Sequence, residues 1–187
     1  MRFLIAGASA LYLASPLLSV ADDFDIKRFF AAAMNAGRSG MAEKTKIVDA
    51  RPASPGEVVV TVIKSEGIET KSKPAEAGDM VVRNRCSETG NEQYLVRAAQ
   101  FAKRYGAAMS EADQEGWRAY QPTGVPTRFV VLKGDEGPFT FKAPWGETQT
   151  AKPGDVIAQD PSKESDTYRI AAAAFSCTYA IVKAPSA

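Results

Sequence analysis

The chain contains no histidine. That removes the Ser-His and Cys-His pairs in which imidazole activates a nucleophile, and with them the commonest side-chain metal ligand. Cysteine occurs only twice in 187 residues, and two cysteines alone do not make a structural zinc site. Gly-x-Gly-x-x-Gly and Gly-x-x-x-x-Gly-Lys-Ser/Thr loops are missing, which excludes nucleotide binding by those routes. No long basic run is present, and 23 basic residues face 22 acidic ones. A balance of this kind argues against nucleic acid as a partner and gives no support to an anionic membrane surface. No catalytic residue, metal or cofactor is therefore expected.

What is present first is an apolar N-terminus. Met1-Arg2 supplies a positive start, Phe3 to Ala14 is apolar, Pro16 breaks the run, and Ser19-Val20-Ala21 fits the small-x-small cleavage rule. Residues 1–21 read as an export signal, which predicts a periplasmic protein with no membrane span after cleavage. The apolar run is short for a span and is diluted by Gly7, Ser9 and Ser15. Removing it takes away Arg2 and no acid, leaving 22 basic against 22 acidic residues. In an exported chain Cys86 and Cys177 are free to form a disulfide. Two separate thiols packed as small hydrophobes are the alternative.

The remaining chain, 45% hydrophobic overall, carries an internal echo. Tyr94, Phe101 and Tyr105 recur as Tyr168, Phe175 and Tyr179, each 74 residues on, and Gly78-Asp79 recurs as Gly154-Asp155 after 76. Matched spacing of unlike residue types points to a tandem duplication. The expected fold is α+β: two tandem repeats of a small bent β-sheet or partial barrel, each closed by a C-terminal helix and related by a pseudo-twofold axis. The expected division is an N-terminal helix and connector over 22–46, repeat one over 47–106, a linker with a short helix over 107–127, repeat two over 128–183, and a tail over 184–187.

Within that division Asp22-Asp23 can cap a helix whose apolar stripe is Ile26, Phe29, Phe30, Ala33 and Met34, with Gly37 placed to end it. The stripe is expected to dock on repeat one. Val58 to Ile63 reads as a strand buried on both faces. Ala98, Phe101, Ala102 and Tyr105 share a helical face that Gly106 should stop. Ser110 to Asp113 resembles a capping box for a short helix through Trp117 and Tyr120. Phe139 and Phe141 alternate with Thr140 and Lys142, as in a strand with one wet face.

Lys152-Pro153-Gly154-Asp155, with the later Tyr-x-Ile and Phe-x-x-x-Tyr pattern, resembles the bacterial family named for its Pro-Gly-Asp-Tyr-Gly signature. Val156-Ile157 stands where the name has Tyr-Gly. The resemblance implies a small domain type, uncharacterised in activity, present here as a diverged tandem pair.

Asp79 and Asp155 are the leading polar candidates. Each follows a turn glycine, and the structural reading has Gly at positive φ while the carboxylate accepts backbone N–H groups of the same turn. The functional alternative is an acid pair for hydrolysis across a cleft. Trp117, Tyr120 and Trp145 could form an aromatic shelf for a ligand, or could complete a small core. Trp145, in a Pro-Trp-Gly turn, is the one expected to be exposed. The Tyr105 and Tyr179 hydroxyls are expected to reach backbone carbonyls at the helix ends. These features predict an exported, non-catalytic binding or scaffolding protein that uses the groove between the repeats. The partner would be a small molecule or an envelope protein. A periplasmic hydrolase using Asp79 and Asp155, and an envelope-assembly subunit that takes partner strands on its β-edges, are the rival expectations.

Overall fold

A computed structural model describes residues 24–187; the expected export signal lies outside them. The described chain is mixed but mostly β, with three helices and fourteen strands. Helix α1 (Ile26–Asn35) leads into β1 (Gly40–Lys44) and β2 (Val48–Pro52). A hairpin of β3 (Val60–Ile63) and β4 (Gly67–Lys71) precedes β5 (Met80–Asn84) and β6 (Gln93–Val96). Helix α2 (Ala98–Arg104) then runs directly into β7 (Tyr105–Ala108). The second half begins with β8 (Arg118–Pro122) and β9 (Thr127–Val131), followed by a hairpin of β10 (Phe139–Lys142) and β11 (Thr148–Ala151). It ends with β12 (Val156–Asp160), β13 (Lys163–Ile170), α3 (Ala172–Thr178) and β14 (Tyr179–Lys183).

Two five-stranded antiparallel sheets result, ordered β6-β5-β2-β8-β7 and β13-β12-β9-β1-β14, and neither closes into a barrel. The orders correspond strand for strand, with each hairpin inserted at the same point of the chain. The strand that opens each half lies in the other half's sheet. β1 sits between β9 and β14, and β8 pairs with β2 and β7.

This exchange corrects two expectations. Residues 36–46 are not all connector: Gly40 lies so close to the Phe129 ring that a Cβ there would meet ring carbon Cε1 at 2.5 Å and the Lys183 carbonyl oxygen at 2.6 Å. The small residues that suggest a linker are what let an inner strand pass beneath that ring. The linker helix over 107–127 is a strand instead. Asp113 Oδ1 accepts the N–H groups of Glu115 and Trp117, both at 2.9 Å, and Ser110 Oγ accepts that of Ala119 at 3.0 Å. The expected capping residues thus hold a turn, with Gly116 at φ +86°.

Asp22-Asp23, the expected cap of α1, lie outside the described residues; the helix is capped by Asp25, whose Oδ1 accepts the Arg28 N–H at 3.0 Å. It ends in a Schellman arrangement: Gly37 (φ +72°) donates to Met34 and Arg38 to Ala33. Its stripe packs on the second half, not the first. Ile26, Phe30 and Ala33 bury against Val130, Leu132, Phe141 and Ile157. The reason lies in the hairpins. β10 presents Phe139 and Phe141, and Phe24 stacks on Phe139 at 3.9 Å between ring centroids. β3 turns Val60 and Val62 outward and buries only Thr61 and Ile63, so the Val58–Ile63 run is one-sided. A detached two-stranded hairpin has only one face to bury.

Neither α2 nor α3 closes its half. Each ends where a tyrosine turns extended (φ −130° at Tyr105, −113° at Tyr179) and opens a sheet-edge strand. Gly106 therefore lies inside β7 and stops nothing. The aromatic pairs match between halves: Phe101 stacks on Tyr105 at 4.8 Å and Phe175 on Tyr179 at 5.1 Å.

Candidate functional site

The Gly-Asp turns position the walls of the cleft. Gly78 and Gly154 both have φ +88°, a conformation that costs an L side chain of order 1 kcal/mol or more. Asp79 Oδ2 accepts the Glu76 N–H at 2.9 Å and Asp155 Oδ2 that of Lys152 at 3.0 Å, so each carboxylate closes its own turn. The other oxygens accept the first N–H of α2, from Ala98 at 3.1 Å, and of α3, from Ala172 at 3.2 Å. Each helix is thereby capped by a remote carboxylate, since no local side chain caps it. Arginines complete the shells: Arg97 Nη1 reaches Asp79 at 2.5 Å and Arg169 Nε reaches Asp155 at 2.8 Å. Burial raises the Asp79 carboxyl, but the Glu76 N–H, Arg97 and the Ala98 N–H outweigh it and hold it below the ordinary carboxylate range.

Between the halves lies a cavity of about 420 Å³. Neither Asp79 nor Asp155 lines it. Both carboxylates are engaged by backbone and arginine, which leaves the acid-pair reading without a geometry. Of the aromatic shelf, only Trp145 reaches the cavity, 40% exposed at its rim and 5.7 Å from the Tyr168 ring. Trp117 is buried, with the guanidiniums of Arg51 and Arg83 over its ring at 5.1 and 4.3 Å. Tyr120 sets its ring edge-on to Phe101 at 5.1 Å. Those two complete the core of the first half.

The cavity floor joins the recurring tyrosines to polar side chains that no motif singles out, Lys44 and Arg104 among them. Tyr94 and Tyr105 meet hydroxyl to hydroxyl at 3.2 Å, with Tyr168 and Tyr179 lining the same cavity. The Tyr105 and Tyr179 hydroxyls thus face the cleft and not the helix-end carbonyls. All four tyrosines line the cavity. Burial pushes the Tyr105 phenol up to about 12, and burial first, then the neighbouring tyrosine, raises Tyr94 and Tyr179 well above the usual value.

Lys44 reaches this floor from the exchanged strand β1. Its Nζ donates to Asn84 Oδ1 at 2.6 Å and to the Tyr94 hydroxyl at 2.7 Å. Among the described residues it has no carboxylate within ion-pair distance. Burial drives its ammonium down to about 7, against the pull of Glu92 and with repulsion from Arg104. Glu92 itself is taken up by Asn84 Nδ2 at 2.6 Å and by the Thr89 hydroxyl. Arg104, at the end of α2, donates to the Tyr168 hydroxyl at 3.1 Å and stands 3.6 Å from Asp166. One signal could have found the floor: phenylalanine would serve for packing, so tyrosine repeated at two equivalent positions marks hydroxyls that matter.

The halves are fastened around the cavity. Arg169, its side chain 2% exposed, adds to Asp155 the hairpin carboxylates of Glu69 at 2.5 Å and Glu66 at 2.6 Å. Lys103 bridges to Asp160 at 2.8 Å. Cys86 and Cys177 form a disulfide across a sequence separation of 91.

No protein-family model, no curated protein and no solved structure matches this chain. Among the described residues no helix is long and apolar enough to cross a membrane.

Proposed function

We propose that this is an exported, non-catalytic binding protein that takes a small organic molecule into the cleft between two halves copied from one ancestral unit. The cavity of about 420 Å³, lined from both halves, is the observation that carries the reading. That volume falls within the usual range of small-molecule sites. The lining combines apolar walls (Ile63, Val125, Ile170, Ala174) with a few convergent polar groups, as such sites do. The duplication is supported by the two corresponding sheet orders and by Gly-Asp turns that make the same three kinds of hydrogen bond. The disulfide suits an oxidising compartment, in keeping with the export signal read at residues 1–21.

A thermal-shift screen of residues 22–187 against small-molecule libraries tests the reading. Hits should raise the melting temperature and lose their effect when Trp145→Ala opens the rim of the cavity. A screen whose hits are all indifferent to substitutions lining the cavity would contradict it.

A further inference from the structure

Resting on that reading, we infer that the cleft takes an organic anion, its charged head between Lys44 and Arg104 and its apolar body against Trp145. Four observations converge. Lys44 spends two of its three ammonium hydrogens on Asn84 and Tyr94, which leaves one for the cavity. Arg104 donates to a hydroxyl and forms only a loose ion pair with Asp166 at 3.6 Å, beyond hydrogen-bond distance. Both cations flank Tyr179. Lys44 pairs with it across β1 and β14, and Arg104 lines the same cavity. Finally, the Glu92 carboxylate, whose charge Lys44 feels, takes its hydrogen bonds from Asn84 and Thr89 and none from Lys44.

Two cations converging on one partly desolvated floor repel each other, and an arriving anion relieves that repulsion while replacing lost hydration. The tyrosyl hydroxyls add neutral donors beside them. The cations also break the correspondence between the halves. Pro122 pairs with Tyr105 where Lys44 pairs with Tyr179, and Thr178 closes α3 where Arg104 closes α2. The Lys44 and Arg104 pair thus has no counterpart at the equivalent positions of the other half, which sets a single ligand orientation. Toward the mouth, Val125, Pro144 and Trp145 offer an apolar wall.

The test is a matched pair of fluorescent probes, 8-anilinonaphthalene-1-sulfonate and N-phenyl-1-naphthylamine, which share a ring system and differ by the sulfonate. Residues 22–187 should bind the anionic probe one to one and about tenfold or more tighter than the neutral one. Lys44→Met and, as an independent variant, Arg104→Gln should each weaken the anionic probe by about tenfold and leave the neutral one unchanged. Lys27→Met, at an exposed position on α1, should alter neither. Equal affinity for the two probes, unmoved by both cavity variants, would overturn the anion inference while the cleft remains a binding site. Failure to bind either probe would overturn the cleft reading and this inference with it.

Discussion

Arg169 donates through Nε to the fully buried carboxylate of Asp155 at 2.8 Å, while its two other nitrogens hold Glu69 and Glu66 of the opposite half. One side chain thereby ties a Gly-Asp turn to a hairpin that roofs the cleft. Removing one partner of a buried pair leaves an uncompensated charge, which costs far more than the pair itself contributes. Arg169→Met should therefore lower stability by about 3–5 kcal/mol in equilibrium denaturation. A loss within experimental error of zero would show that water already reaches these carboxylates.

The Asp79 shell makes a different prediction. Its oxygens serve the Glu76 turn, the α2 N-terminus and Arg97, and none lines the cavity. Asp79→Ala should cost about 1–3 kcal/mol through the unmet N–H groups and leave ligand affinity unchanged. A folded variant that loses binding or turnover, with its stability intact, would restore the hydrolase reading.

Lys44 gives the fold a pH signature. Its ammonium is lowered to about 7 in the folded protein, against about 10.4 in an unfolded chain. Between those values the unfolded state binds more protons, so stability contributed at this site rises with pH across the window. Below about 7 both states are protonated and the burial cost is fully present. Denaturation midpoints should thus show wild type gaining on Lys44→Met from pH 7 to 10. A stability difference that stays flat with pH would contradict the assignment.

The bond between Cys86 and Cys177 closes a loop of 91 residues, for which loop entropy gives roughly 4–5 kcal/mol. The double Cys86→Ser, Cys177→Ser variant should lose about 2–5 kcal/mol. Thiol titration of the denatured protein should find none before reduction and two after it.

Much of this arrangement was legible from spacing. The Gly-Asp turns, α1, the Phe-Tyr pairs and Trp145 at a turn all follow from local chemistry that the fold leaves undisturbed. The exchanged strands were not legible. β1 is Gly-Met-Ala-Glu-Lys and β8 is Arg-Ala-Tyr-Gln-Pro, and neither shows a two-residue alternation; each is a strand because sheet neighbours on both sides pair with it. Lys44 was missed for that reason: at the end of an expected connector a lysine reads as solvated. Arg104 was missed because it closes a helix, where a cation is unremarkable. Val58 to Ile63 misled in the opposite sense, since a β-branched run reports strand propensity and not which faces find a partner.

The central claim is that ligand enters the cleft between the halves beside Trp145. The chain has two tryptophans, so Trp117→Phe leaves Trp145 as the sole indole emitter, and its emission during a titration reads the cleft directly. The account predicts that bound ligand quenches or blue-shifts Trp145 with the same affinity that calorimetry reports. Saturable binding that leaves this emission unchanged would contradict it.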